Sequence, residues 1–328
     1  MIKLKRPLTG RAVTEFLLKY SMYIVCIGFL VIPSIIFPKF GSLQSMTVLL
    51  KNISMWGIMA IGVSFVMIIG CNDLSVGLNV SMITVIATLL GEKYGLGVII
   101  PVVLLIGVLT GLFNGLVVTK LRINPFIATL STQMIFKGIG LVASDGRAIF
   151  SYNEGLNNLF NIVILQIGKF SFTLPMLVLV VCLAVASYVL KYTKFGQSLY
   201  VVGGNREAAA LCGIDIDRTT IICYIISGVC AAISGILVAS FNTCGNAAIG
   251  ERYSMQTVAA CVLGGLHMTG GYGNAWLAVL GVAAMQLMQK VLYQVDSSFA
   301  NMQMGFIGAI LIIFMIVDKL KIKYTETK

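Results

Sequence analysis

The chain is poor in charge. Only 11% of its 328 residues are Asp, Glu, Lys or Arg, and 58% are hydrophobic, whereas a soluble domain carries about 25% charged residues. No single aqueous core hides that much apolar side chain, so an ordinary soluble enzyme, a nucleic-acid-binding module and a disordered scaffold are excluded. Histidine is almost absent, with His267 alone. Without a second His, an H-E-x-x-H pair or a nucleophile elbow, the sequence offers no metal or hydrolytic centre. The eight cysteines (26, 71, 182, 212, 223, 230, 244 and 261) form no C-x-x-C pair and lie mostly in apolar runs. They read as small core hydrophobes rather than zinc ligands or a disulfide frame. A G-x-x-x-x-G-K-[ST] loop is missing too, since GGYGNA (270–275) lacks the Lys and the following Ser or Thr. The period-two alternation of a membrane barrel is likewise lacking.

What is present is long apolar runs, with a mean hydropathy of +0.97. About ten segments of about 20 residues would absorb most of the chain. The expected crossings are 20–37, 47–70, 76–91, 96–118, 125–143, 173–190, 220–241, 256–266, 275–292 and 302–318. The eighth is too short to cross as a straight helix, so it reads as one arm of a broken one. The fold expected is an all-α integral membrane protein, a polytopic bundle of about ten helices in a single transmembrane domain over 1–328. At the start a basic stretch precedes 20–37 and no small-x-small cleavage site follows, which reads as an uncleaved first span.

The net charge is +11, which in a soluble protein would suggest a polyanionic partner. Here the basic residues cluster in alternate segments: 1–19, 120–122, 191–218 and 319–328. They outnumber Lys39, Lys51, Lys93, Arg147, Lys169 and Arg252 on the other side. The positive-inside rule then puts both termini, the N-terminal 1–19 and the tail 319–328, in the cytoplasm. The outer loop 144–172 is polar with an apolar patch, suited to a short helix lying at the interface.

The inner loop 191–219 says the most. Asn205 is a good N-cap, and Glu207 in the first turn suits the helix dipole. Ala208, Ala209, Ala210 and Leu211 are strong helix formers, and Gly213 is a natural stop before Ile214. A helix of about seven residues is marginal alone in water. It packs on its own bundle, or it docks in a groove of a cytosolic partner.

Here a resemblance enters. GQSLYVVGGNREAAALCGI (196–214) resembles the cytoplasmic coupling loop of permease subunits of bacterial ABC sugar importers of the ribose, xylose and galactose type. IIGCNDLSVGLNVSM (68–82) looks like that family's Gly-Gly-x-Asp-Leu-Ser-Val-Gly signature. GLFNGLVVTKLRINPFIATLSTQMIFKGIGLV (111–142) and VAACVLGGLHMTGGYGN (258–274) are similar to its next and late blocks. Four blocks in order make the signal specific. The chain departs twice: Tyr253 to Ala260 lacks the family's acidic residue, and Asn274-Ala275-Trp276 stands where a Gly-Thr pair is common. Both changes bear on the solute rather than the fold. The resemblance implies two related halves, coupling to an ATPase through Gly203, Gly204, Asn205, Glu207, Ala208, Ala209, Gly213 and Ile214, and ATP with Mg held on that partner, not on this chain. It also implies an extracytoplasmic solute-binding protein, a second permease subunit, the same or different, and the bacterial inner membrane.

Polar groups at membrane depth are the other candidates. Asp73 ends the second apolar run inside Gly70-Cys71-Asn72-Asp73-Leu74-Ser75-Val76-Gly77. A carboxylate at the bilayer centre costs about 2.5–3.5 kcal/mol. Three readings stay open: a cap at the inner interface through the Ser75 and Val76 N–H groups, part of an inner gate or ATPase contact with Ser75 and Gly77, or a proton relay. A similar knot recurs at Gly264-Gly265-Leu266-His267, again suggesting related halves and a gate or turn. Asn79, Asn114, Thr129, Gln133, Gln286 and Gln289 are candidate pathway residues, because neutral amides and hydroxyls suit a sugar. They suit helix–helix hydrogen bonds equally. The function read from all this is import of a monosaccharide or related small solute by alternating access. The alternatives are an amino-acid, nucleoside or quorum-signal importer of the same superfamily, an ion-coupled secondary transporter and an intramembrane enzyme. The sidedness is checked by fusing reporters after Lys328: a fluorescent protein there should fold and glow, and alkaline phosphatase there should stay inactive.

Overall fold

The computed structural model describes residues 26–37 and 39–295, with isolated helical positions at 23, 305, 308 and 309. The ends 1–19 and 319–328 and nearly all of the expected last crossing, 302–318, lie outside the described residues. The described chain is predominantly helical. Six of its helices are long and apolar enough to cross a membrane: α2 (Leu43–Ile68), α4 (Leu96–Thr119), α5 (Pro125–Ala143), α7 (Leu174–Tyr192), α10 (Ile216–Asn242) and α12 (Ala275–Val295). Shorter apolar helices are α1 (Cys26–Ile36), α3 (Val76–Gly91) and α11 (Tyr253–Leu263). Helix starts follow local chemistry. The Ser42 hydroxyl accepts from Ser45 N, Asn124 precedes Pro125 at the first position of α5, and the Asp215 carboxylate accepts from Arg218 N.

Helix α2 forms the buried centre, and α10 packs chiefly on α4, α2 and α3. Small residues let backbones approach where α4 crosses α10. A Cβ at Gly228 would overlap Gly107 O, and one at Gly111 would overlap Tyr224 O. Without a hydrophobic drive between helices in lipid, such close van der Waals packing supplies much of the association.

The structure corrects the expected loops. The segment 144–172 holds more than one interface helix. It contains β1 (Ile149–Phe150), α6 (Glu154–Asn158) capped by the Asn153 side chain, a 3-10 turn (Leu159–Asn161), and a hairpin of β2 (Val163–Ile167) and β3 (Phe170–Thr173). The hairpin turns at Gly168, whose φ of +59° suits glycine. Strand β1 pairs with β4 (Cys244–Gly245), tying this segment to the end of α10. The segment 191–219 is mostly helix, not loop. Helix α8 (Lys194–Gly204) precedes α9 (Arg206–Leu211), and the Thr193 hydroxyl caps α8 by accepting from Gly196 N at 3.0 Å.

The close α4–α10 crossing carries a stability prediction. Gly228→Val should destabilise the detergent-solubilised protein by at least about 1–3 kcal/mol, as overpacking does. Gly138, where a Cβ meets nothing within 4 Å, should accept valine with little change. Unfolding midpoints of the two variants check this.

Candidate functional site

The α2–α3 connection does not turn at the end of the bundle. Gly70 takes φ +72°, and residues 71–75 continue without regular structure to the first turn of α3. Backbone that leaves helix geometry away from water must find other partners, and here each residue finds a different one. Ile68 O accepts from Gly271 N at 2.8 Å. Asn72 O accepts from Tyr224 Oη at 2.9 Å, and Leu74 N donates to Thr129 Oγ1 at 3.1 Å. Ser75 Oγ accepts from Asn114 Nδ2 at 2.7 Å.

Asp73 is 3% exposed. Its Oδ1 accepts from Ser75 N (2.9 Å) and Ser75 Oγ (2.6 Å), and its Oδ2 accepts from Ser227 Oγ (2.6 Å). The Val76 N–H expected from the sequence is not among these partners. Ser227 stands eleven residues beyond Ile216, roughly 16 Å along α10. The carboxylate therefore lies within the bundle, bonded near the middle of α10.

A second interruption lies against the first. After α10 the chain reverses at Thr243 (φ +51°) and runs antiparallel to α3. Asn246 N donates to Thr84 Oγ1 (3.1 Å), and Gly250 N donates to Ser81 Oγ (2.8 Å). Ser254 Oγ then accepts from Gly77 N at 2.9 Å. The N-termini of α3 and α11 thus meet, with Gly77 and Gly250 so close that a Cβ on either would overlap the other's carbonyl oxygen. The ring of Tyr253 packs on Trp56, halfway along α2, with centroids 4.3 Å apart. Helix α11 begins beside the middle of α2, so 243–263 is an irregular stretch followed by an 11-residue helix. Its far end turns at Gly264 and Gly265 (φ +101°).

Helices α8 and α9 lie at the end of the bundle where α2 finishes. A Cβ at Gly203 would overlap Ile68 O. Tyr200 Oη donates to Gly273 O at 2.8 Å, and burial pushes its phenol pKa up. Helix α9 has six residues, with Asn205 Oδ1 accepting from Ala208 N at 3.0 Å and Gly213 at φ +75° after its end. Ala209 is buried; Glu207, Ala208 and Ala210 are exposed, and Leu211 is 91% exposed. Arg206 Nη2 donates to Cys71 Sγ at 3.0 Å. Arg206 and Arg122 also line a cleft of about 400 Å³ between the α4–α5 turn and the start of α10. At its edge a 2.8 Å bond from Lys120 to Asp217 raises the Lys120 ammonium above its usual value.

The candidate polar residues fall into two groups. Asn79, Asn114 and Thr129 surround the break, with Asn79 Nδ2 donating to Thr110 Oγ1 at 2.9 Å, and Gln133 lies one turn beyond Thr129 on α5. Gln286 and Gln289 line a separate cleft of about 710 Å³ beside Ser45 and Lys290. The Oδ1 atoms of Asn72, Asn79 and Asn114 are buried and accept no protein hydrogen bond. Sequence reasoning missed Ser227, Tyr224, Thr110, Ser254 and the Arg206–Cys71 contact. Each is a small or ordinary side chain within a run that reads as packing, and only the tertiary arrangement shows its partner.

Residues 45–315 match the family model described as branched-chain amino acid transport system / permease component. The chain is 31% identical over 299 residues to the ribose import permease protein RbsC of Haemophilus influenzae, covering 90% of this chain and 91% of that one. It is 34% identical over 318 residues to the L-arabinose transport system permease protein AraH of Escherichia coli, covering 94% and 93%. It is 31% identical to the autoinducer 2 import system permease protein LsrC of Photorhabdus laumondii, covering 86% and 84%. No solved structure matches the chain.

The Asp73 knot yields a coupled prediction. Ser227→Ala leaves a buried oxygen of Asp73 without its donor and should cost about 1–3 kcal/mol. Asp73→Asn keeps an acceptor for Ser75 and offers an amide N–H that the Ser227 hydroxyl can accept after rotating, so it should cost no more than Ser227→Ala. The double variant should cost less than the sum, because neighbours in one network are not additive. Three unfolding midpoints against wild type check it.

Proposed function

The chain belongs to the family of branched-chain amino acid transport system permease components, and on that premise we propose that it is the membrane-spanning permease subunit of an ATP-driven ABC importer for a monosaccharide or related small polar solute. The observation that carries the proposal is likeness over about nine-tenths of the chain to permeases named for ribose and L-arabinose import. The polar inventory agrees in kind. The amide oxygens of Asn79 and Asn114, buried and without a protein donor, are acceptors for the hydroxyls of an uncharged sugar. Thr129, Gln133, Gln286 and Gln289 would extend the pathway as the subunits rearrange.

In this reading the chain sits in the bacterial inner membrane with about ten crossings in two related halves and both termini in the cytoplasm. A solute-binding protein delivers cargo at the outer face, and a second permease subunit, identical or different, completes the pathway. A separate ATPase binds ATP and Mg and hydrolyses the nucleotide, and this chain acts as the transport component. Helix α9 is the docking element, with Gly203 and Gly204 before it, Asn205 and Glu207 to Ala209 in it, and Gly213 and Ile214 after it. Its exposed Leu211 and marginal length support a partner groove that closes over it. Closure of the ATPase dimer on ATP would push α9 and tilt the subunits, switching the pathway between sides with Asp73, Ser75, Gly77, Gly264 and Gly265 at the moving turns.

A second reading, import of a quorum signal, is favoured by the relative named for autoinducer 2. Reconstitution with the ATPase and a panel of loaded binding proteins separates the two. Ribose- or arabinose-loaded protein should raise ATP hydrolysis more than autoinducer-loaded protein; stimulation by the latter alone would select the second reading. Uptake abolished by a protonophore yet indifferent to ATP would overturn both. Glu207→Lys should leave insertion intact and lower solute-stimulated hydrolysis about tenfold or more, a loss of about 1.4 kcal/mol in coupling. Normal transport by that variant would remove α9 from the mechanism.

A further inference from the structure

The break between α2 and α3 has one partner that differs from the rest. Its other ties come from within the bundle: Tyr224 and Ser227 on α10, Thr129 on α5, Asn114 on α4 and Ser254 on α11. Arg206 comes from α9, the element most exposed at that end. Cys71 is 1% exposed, so the guanidinium reaches inward from the first residue of α9 to a buried atom. Three residues earlier, Gly203 presses on Ile68 O at the end of α2. The segment 203–206 therefore touches the start of the break at two points, Ile68 and Cys71.

We propose that Arg206 is a positioning residue that passes displacement of α9 to the α2–α3 break through its hydrogen bond to Cys71. The inference rests on the reading of α9 as the ATPase-docking helix. From Cys71 to Ser75 the break is tied to α9, then twice to α10, then to α5 and α4, so a shift of it reaches all four, and α11 through Gly77 at the start of α3. A packed array of this kind rearranges as a unit rather than deforming continuously. The Gly203 contact alone can push on α2 but cannot pull, whereas the Arg206–Cys71 bond transmits in both directions, as an alternating cycle requires. Cysteine at 71 then has a role other than the filler suggested by its apolar setting: it is the acceptor for the Arg206 guanidinium.

The test uses Cys71, which no partner protein can touch. Cys71→Ala and Cys71→Ser are nearly equal in size and differ in whether an acceptor for Arg206 remains. Each is assembled with the ATPase and binding protein in liposomes, and uptake of radiolabelled ribose, of L-arabinose and of autoinducer 2 is measured with ATP hydrolysis in the same vesicles. Cys71→Ala should assemble and hydrolyse ATP within about twofold of wild type while uptake per ATP falls about fivefold or more. Cys71→Ser should restore the ratio to within about twofold. An unchanged ratio in Cys71→Ala, or an equal fall in both variants, would overturn the proposal. A wild-type complex that moves neither sugar nor autoinducer 2 with ATP would instead sink the permease-subunit reading. Hydrogen exchange on the full chain alone then decides the local link. Cys71→Ala should speed exchange of 69–75 and of 203–208 together by about fivefold, and Cys71→Ser should not; a change confined to either segment would overturn it.

Discussion

A chain that abandons helix geometry where no water reaches it must pair every peptide group it frees. Among the described residues this protein does so at 69–75, which is buried or half-buried, and the more exposed stretch 243–252 packs on α3, the helix that follows that break. Ser81 and Thr84 on α3 receive the N–H groups of Gly250 and Asn246, and Ser254 on α11 receives the N–H of Gly77. The two stretches are thus joined through α3 into one unit although about 170 residues separate them. The straight helices are arranged around that unit. Tyr224 and Ser227 fix where α10 stands, and Thr129 and Asn114 do the same for α5 and α4.

Two residue types make the unit possible. Hydroxyls serve because Ser and Thr can accept from a neighbouring backbone while donating along their own helix, as Thr84 does to Ser81 O. Glycines serve because the approach is closer than any side chain allows. Gly77 against Gly250 and Gly203 against Ile68 O are contacts between main chains. Both types carry little hydrophobicity and no charge, so the site is built almost wholly from residues that elsewhere signify simple packing.

That explains what could be read in advance. Helix α5 at 125–143 and helix α3 at 76–91 were legible to the residue, because Asn124-Pro125 and the Gly-Asp-Leu-Ser pattern punctuate them. Helix α9 was legible from Asn205 and Gly213, within a residue or two. The inner loop's other half was not: α8 contains Gly196, Gly203 and Gly204 and reads as a loop until its packing on α7 and its Thr193 cap are seen. The hairpin at 163–173 was hidden for the opposite reason. Its run of Val, Ile and Leu reads as the apolar patch of an interface helix, and only Gly168-Lys169 marks the turn. Asp73 stands out in the sequence and its Ser75 N–H partner is legible there, but Ser227 is not, since nothing in one dimension places α10 beside the segment before α3.

Asp73 also fixes where the chain bends. Its Oδ1 accepts from Ser75 N, just ahead of α3, and its Oδ2 accepts from Ser227 on α10. Were α3 to wind one further turn at its start, Ser75 N would pass into the helix ladder and Asp73 would swing away from Ser227, leaving buried polar atoms unpaired. One side chain thus sets the length of α3 as well as its position.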